Sequence, residues 1–315
     1  MTVLANERTA YHNGTYLPES RVLLSFRDRG LLYGDGVFDT TRTFGHRLFR
    51  LEEHVERLYR SLRYVRIDPG LSPAEMCAVT EEVLAHNLHL LDPADDYWVS
   101  QRVTRGVATV DRETTAPSGP TVIVECTPLP LRERATLYRD GIRVVVPARR
   151  RTPPEALSPQ AKTSNYLNMI VADHEVASVA PGAWAVLLDM AGNLAEGRGS
   201  NMFLVKDRGL LTPTTRGVLA GVSRQTVIEI AAELEIPCRE ADLQLFDAYT
   251  ADEAFLTSTS LCICPVRSIN GIRLGGEDPF GPVTQRLIRR YSERVDCDFV
   301  DQYRRHLPRG ESMAS

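Results

Sequence analysis

The stretch LSPQAKTSNYLNMIVADHEV, residues 157–176, decides how this chain is read. Lys162 stands after a loop and just before a run in which Leu167, Ile170 and Val171 fall on one helical face. A lysine at such a junction can point into a crevice and lose part of its hydration, which lowers its pKa and frees the amine. Of the 37 basic residues only Lys162 and Lys206 are lysines; the rest are arginines. Arginine replaces lysine for surface charge and ion pairing but not as an amine nucleophile, because guanidinium stays protonated. Each remaining lysine is therefore a candidate for amine chemistry. Lys206, in FLVKDRGLL (203–211), flanks a charged turn and reads as a solvated structural residue.

Working outward, the 315 residues are 43% hydrophobic and 25% charged, the proportions of a globular enzyme rather than a disordered or fibrous chain. A net charge of -4 gives no positive field for nucleic acid or an anionic membrane surface, so neither is expected as a partner. No apolar run approaches the roughly 18 residues of a membrane span. The opening MTVLANERTAYHNG has neither a basic start nor an apolar stretch, and a cytoplasmic location is expected. Reduced thiols are then expected for the six cysteines. Cys262 and Cys264 form a C-x-C pair without a second ligand pair nearby, so they read as buried small residues and no metal is expected.

The N-terminal part, 1–126, reads as a small α+β domain. RVLLSF (21–26), VFDTTRTF (37–44) and RLFR (47–50) read as strands, with a corner at Gly34–Gly36. LEEHVERLYRSLRYV (51–65) is an amphipathic helix, and a second follows Ser72-Pro73 to about Asn87. YWVSQRVTRG and TVIVECTPLP read as strands separated by a polar loop at 106–119. Residues 127–141 are the candidate interdomain linker. A larger C-terminal domain is expected over 142–299, and a loose polar tail over 300–315.

Two further segments carry chemistry. In AGNLAEGRGSNMFLV (191–205), Glu196 lies between glycines near a strand end, where a flat ligand can approach the backbone. In RGVLAGVSRQTVIEIAAEL (216–234), a glycine turn opens a helix with Ser223 read as its N-cap, and such an end suits a phosphate. Thr257, Ser258 and Thr259 in FLTSTSL add hydroxyls, and Arg57 in EEHVERL can supply counter-charge. A reactive lysine, an acid and a phosphate cup together suggest pyridoxal 5'-phosphate, whose Schiff base, pyridine nitrogen and phosphate need those three partners.

The motifs DRGLLYGDGVFDTTR (28–42), RLEEHVERL (50–58), AKTSNYLN (161–168), LAEGRGSNMFLVKD (194–207), VLAGVSRQTVIEIA (218–231) and YTADEAFLTSTS (249–260), followed by PVRSINGIRL and GPVT, resemble the class IV aminotransferases of PLP fold type IV. The resemblance spans about residues 10–295. It implies an α/β (α+β) fold of two domains with the cofactor in the crevice between them, and homodimers in which an N-terminal loop closes the partner's site. By the same resemblance Lys162 would carry the cofactor and act as catalytic base and acid. Glu196 would pair with the pyridine nitrogen, and Arg57, Val222, Ser223 and Thr259 would bind the phosphate, Val222 through its backbone amide. Tyr166 would lie near the phenolic oxygen.

Tyr33, Phe38, Thr40 and Arg42 match the family's substrate pocket, with Arg105 of QRVTRG and the loop Ser260-Leu261 also assigned to substrate. The pocket looks most like the branched-chain group, which makes aliphatic L-amino acids the expected donors and 2-oxoglutarate the expected acceptor. Asp39 departs from that group's usual Glu, and QRVTRG is closer to the D-amino-acid and lyase groups. A D-amino-acid or R-selective amine transaminase, an aminodeoxychorismate-type lyase and an idle small-molecule-binding module therefore stand as alternatives. KTSNYLN lacks the lyase pattern KHLNRL, and an intact Lys162 with Glu196 counts against idleness.

Borohydride reduction of protein loaded with pyridoxal 5'-phosphate, followed by peptide mapping, is expected to place the pyridoxyl adduct on Lys162. An adduct on Lys206 contradicts the assignment.

Overall fold

The structure, a computed structural model, describes residues 7–111 and 114–308. The chain divides into two compact units, Met1–Leu129 with Ala161–Asn165, and Pro130–Gln160 with Tyr166–Ser315.

The first unit contains β1 Thr9–His12, β2 Thr15–Pro18, α1 Arg29–Tyr33, β3 Gly36–Phe44, β4 Arg47–Leu48, α2 Leu51–Val65, α3 Pro73–Asn87, β5 Tyr97–Thr104, β6 Ala108–Asp111, β7 Thr114–Pro117 and β8 Thr121–Pro128. Six strands form a sheet in the order β2-β1-β8-β5-β3-β4, and β6 and β7 pair separately. Every pairing in the sheet is antiparallel. The apolar stripe of α2 (Val55, Leu58, Leu62) packs with Met76 and Val83 of α3 and with Val99, Val103 and Val124 of the sheet. A capping box between Ser72 and Glu75 starts α3. Successive residues of a strand face opposite sides. On β3, Val37 joins the core beneath α2 and Asp39 bonds α2 side chains, so Phe38 and Thr40 face the other way.

The second unit contains α4 Leu131–Arg134, α5 Leu137–Asp140, β9 Ile142–Val145, α6 Leu167–Val179, β10 Trp184–Leu188, β11 Leu194–Gly197, β12 Ser200–Lys206, β13 Gly209–Pro213, α7 Val222–Glu233, β14 Cys238–Ala241, α8 Leu245–Tyr249, β15 Glu253–Ser258, β16 Cys262–Ile269, β17 Ile272–Arg273, α9 Pro282–Val295 and α10 Phe299–Arg304. Its strands run β11-β10-β9-β16-β15-β12-β13-β14, and an added β11–β12 pairing closes six of them into a ring. Closure removes the open edges that a flat sheet would present. Phe203 of β12 stacks on Phe255 of β15 at 5.0 Å inside it.

Several expectations are corrected. RVLLSF forms no strand over 21–26. Leu23, Leu24 and Phe26 are 73%, 51% and 70% exposed, because an apolar run without a partner strand has nothing to alternate against. The stretch 127–141, read as a linker, contains the boundary between the two units after Leu129, and it is not structureless: it holds the end of β8, then α4 and α5, with Leu131 and Tyr138 buried. The 106–119 region, read as a loop, carries the β6–β7 hairpin, with 112–113 outside the described residues. Lys162, expected in the C-terminal domain, belongs to the first unit.

The tail read as loose begins with α10, which is docked; 309–315 lie outside the described residues. Tyr303 stacks on Tyr138 at 4.5 Å and donates to the carbonyl of Ser260 at 2.7 Å, and Arg304 donates to the carbonyl of Tyr138. Tyr303→Ala is therefore expected to cost about 3–5 kcal/mol in denaturant unfolding, as buried aromatic truncations do. A loss within about 0.5 kcal/mol, the usual size for a surface change, contradicts this docking.

Candidate active site

Lys162 is presented by backbone pairing rather than by its own helix. The carbonyl of Lys162 accepts from Phe38 N–H at 3.0 Å, and Ser164 N–H donates to the carbonyl of Gly36 at 2.9 Å. Thr163 thereby bridges Val37 in antiparallel fashion. Lys162 N–H donates to Ser61 Oγ at 3.1 Å, and that hydroxyl donates to the carbonyl of Arg57 one turn back on α2. The half-buried Lys162 side chain lays its Nζ 4.4 Å from the ring centre of Phe38. Lys206 instead reaches the Thr250 hydroxyl at an exposed turn.

Beneath β3 lies a buried ionic cluster. Arg57 donates through Nε to Asp39 Oδ2 and through Nη2 to Asp39 Oδ1, both at 2.8 Å, and His54 Nδ1 bonds Oδ1 at 2.7 Å. Burial alone would raise the Asp39 carboxyl, but Arg57 and His54 outweigh it and hold it well below the usual carboxylate range. Burial lowers the His54 pKa against the pull of Asp39. Arg57, expected at the phosphate, thus has a carboxylate clamp as well. Sequence reading noted Asp39 only as a family departure. The helical spacing of His54 and Arg57, one turn apart, was the signal that a common partner could be served.

In the second unit Glu196 is only 4% exposed. Arg151 Nε donates to its Oε1 at 3.0 Å and Leu219 N–H to its Oε2 at 2.9 Å. Arg151 was missed, being one of several arginines in a Pro-rich loop. Across the ring, Glu196 is in register with Asn201, and Asn201 with Thr257. Asn201 Nδ2 donates to the carbonyl of the same Leu219 at 2.9 Å. The turn is thus held by both its amide and its carbonyl.

Gly221 is required where the turn enters α7, since an added Cβ would lie 2.1 Å from Asn201 Oδ1. Gly221, not Ser223, is the N-cap; Ser223 is buried within the first turn, which has no side-chain cap and no acid. Gly197 proves to serve strand packing, as an added Cβ would meet the Ser200 hydroxyl at 2.6 Å and the Ala185 carbonyl at 2.8 Å. Thr259 is half-buried after β15, Tyr166 is the N-cap of α6, and Val222 opens α7.

The substrate assignments fare unevenly. Phe38 and Thr40 lie on the half-exposed face of β3 with Lys162. Arg42 has the same parity on β3 but is 1% exposed, paired with Asp96 at 3.5 Å and stacked 3.9 Å from the Phe44 ring. Arg105 is consumed as a brace, with two bonds to Asp35 and two to the carbonyls of Val65 and Arg66 at the end of α2. The Leu261 side chain is wholly buried and its amide is taken by Ser258 Oγ; Ser260 is held by Arg134 and Tyr303. Tyr33 is 65% exposed on α1, 5.1 Å below Arg29. Among the described residues no group of three or more His, Cys, Asp or Glu is placed to hold a metal.

Residues 36–269 match the family model described as amino-transferase class IV. The chain is 37% identical over 285 residues to a Methanocaldococcus jannaschii protein provisionally named branched-chain-amino-acid aminotransferase, covering 90% of this chain and 95% of the relative. It is 31% identical over 287 residues to aminodeoxychorismate lyase of Bacillus subtilis, covering 90% and 94%. A crystal structure of a T.th. branched-chain amino acid aminotransferase complexed with N-(5'-phosphopyridoxyl)-L-glutamate superposes with a TM-score of 0.81 at 27% identity, covering 92% of this chain and 94% of the other.

Asp39→Asn leaves Arg57 buried opposite a neutral amide and is expected to cost about 3–5 kcal/mol, the usual penalty for breaking a buried ion pair. A depressed carboxyl stabilises fully above its unfolded value, so the gap between parent and variant is expected to shrink as pH falls below about 4. Chemical denaturation across pH checks this. A gap that is negligible at pH 7, or that widens in acid, contradicts it.

Proposed function

Because the chain belongs to the class IV aminotransferase family, we propose that it is a pyridoxal 5'-phosphate-dependent transaminase for branched-chain or related aliphatic L-amino acids, with a 2-oxo acid such as 2-oxoglutarate as acceptor. The observation that carries this reading is Glu196, a carboxylate kept buried yet oriented by Arg151 and the Leu219 amide. A buried acid oriented by two donors is placed to receive a further, proton-bearing nitrogen.

The residues present fit the cofactor. The first turn of α7 offers backbone N–H groups with no side-chain cap and no competing acid, and Ser223 is buried there. The Thr257 hydroxyl is buried without a partner. When bound, the cofactor supplies an electron sink that lets a proton leave and rejoin the substrate's α-carbon. Lys162 Nζ would hold the cofactor, and its amine would serve as base and acid for that proton. Glu196 holds the proton on the pyridine nitrogen. Val222, Ser223 and Thr259 would hold the phosphate, as would Arg57, whose guanidinium Asp39 fixes. Tyr166 orients the phenolic oxygen, while Phe38 and Thr40 receive the substrate.

No helix among the described residues is long and apolar enough to cross a membrane. We place the enzyme in the cytoplasm as a homodimer. Leu23, Leu24 and Phe26, with Leu31, Leu32 and Tyr33 of α1, leave a contiguous stretch of chain with large exposed apolar side chains, the kind of surface that a second copy covers.

Glu196→Gln is expected to retain the fold and the cofactor while slowing bleaching of the cofactor band by L-leucine on the order of 10²-fold or more. Near-parental bleaching in the Gln variant contradicts the role of Glu196. In the parent, fast bleaching by D-alanine and R-1-phenylethylamine with none by L-leucine overturns the branched-chain assignment.

A further inference from the structure

We propose that the cavity between α5, the strands β9 and β16 and the loop 276–279 is a binding site for a small organic phosphate, gripped by Arg143 and Arg267. The cavity has a volume of about 560 Å³ and lies wholly within the second unit. Small-molecule sites span about 300–1,000 Å³. Thr136 and Leu137 at α5, Arg143 of β9, Arg267 of β16 and Pro279 line it. None of the residues assigned above to cofactor or substrate does.

Two irregularities of the backbone build the site. Between β9 and β16 the register steps from Ile142–Val266 to Arg143–Ser268, which leaves Arg267 as an extra residue without a partner on β9. A bulge of this kind re-aims a side chain, and here Arg267 joins Arg143 at the cavity. Gly141 precedes β9 with a φ of +76°, and an added Cβ there would lie 2.9 Å from the Pro279 Cβ and 3.1 Å from the Arg267 Cβ. Glycine thus lets the loop and Arg267 close on the strand end.

Neither guanidinium is spent on an acid among the described residues. Arg143 Nη2 donates to the carbonyl of Pro181 at 2.6 Å, and Arg267 Nη1 donates to the carbonyls of Gly276 and Glu277. Each guanidinium carries five N–H groups, so most of each fork is left over. Arg273 Nη2 holds the same two loop carbonyls, both at 3.2 Å, so the loop does not depend on Arg267 alone. Of the acids at the cavity, Asp140 accepts two bonds from Arg139, at 2.8 and 2.9 Å. Glu277, exposed, is the other, one acid against two arginines. A carboxylate has two oxygens, and one fork saturates it. A phosphate monoester presents three oxygens and close to two charges, which suits a pair of forks. Leu137 and Pro279 give its organic part an apolar wall.

Calorimetric titration of the holoprotein, dialysed free of excess cofactor, with glycerol 2-phosphate and with malonate tests this. The parent is expected to bind the ester, and malonate about tenfold more weakly. Arg143→Met and Arg267→Met are each expected to weaken the ester about tenfold, as loss of a charge-assisted contact does. Arg267→Lys keeps the charge without the fork and is expected to weaken it less. Arg289→Met, at an exposed arginine of α9 away from the cavity lining, is expected to leave binding unchanged. All these variants are expected to keep the parent's cofactor band and its bleaching by L-leucine. Arg143 is exposed, so its variant decides the matter if Arg267→Met does not fold. A parent that does not bind the ester, or an Arg143→Met protein that binds it as tightly as the parent, overturns the site. So does an Arg289→Met protein weakened to the same extent. Malonate binding as tight as that of the ester overturns the phosphate assignment.

Discussion

The backbone clip between residues 161–165 and the start of β3 is the constraint on which the rest depends. Two main-chain hydrogen bonds and the Ser61 hydroxyl fix the Lys162 backbone, so that only side-chain freedom remains. That freedom is large for lysine, about 2 kcal/mol of rotamer entropy. A nucleophile on a free loop would add the cost of ordering its backbone, roughly 1–2 kcal/mol per residue. Here each ordering bond returns about 0.5–1.5 kcal/mol at folding, before any ligand arrives. This also explains why a short piece of chain leaves the second unit to join the first.

The same economy of motion governs the charged groups. Asp39 takes two bonds from Arg57 and one from His54, and Glu196 takes one from Arg151 and one from the Leu219 amide. Buried charges persist only when paired and hydrogen-bonded. Both carboxylates therefore have fixed positions. In the second unit this fixing extends along the strand row Glu196–Asn201–Thr257, because Glu196 accepts from the N–H of Leu219 and Asn201 donates to the carbonyl of the same residue. Gly221 follows from the same grip, since the space a Cβ would need is occupied by Asn201.

Legibility in the sequence followed how local each determinant is. Leu51–Val65 and Pro73–Asn87 were readable to the residue, because periodicity, the Ser72–Glu75 box and Pro73 are all contained in the helix itself. Lys162 stood out in the sequence because lysine is so rare here. RVLLSF misled because strand identity needs a partner that the segment does not contain. The partners of Arg42 and Arg105 were not legible for a related reason: which acid an arginine meets is set by the fold. Asp35 lies 70 residues from Arg105 in sequence. Arg151 left no trace for the same cause.

The protonation state of the cofactor's pyridine nitrogen tests the role of Glu196, and with it the active-site assignment, most directly. It is read by nitrogen-15 NMR on protein loaded with labelled pyridoxal 5'-phosphate. A protonated nitrogen is expected in the parent at neutral pH, and its loss is expected in Glu196→Gln. A parent nitrogen that is unprotonated at neutral pH, or one that stays protonated without the Glu196 charge, would contradict it.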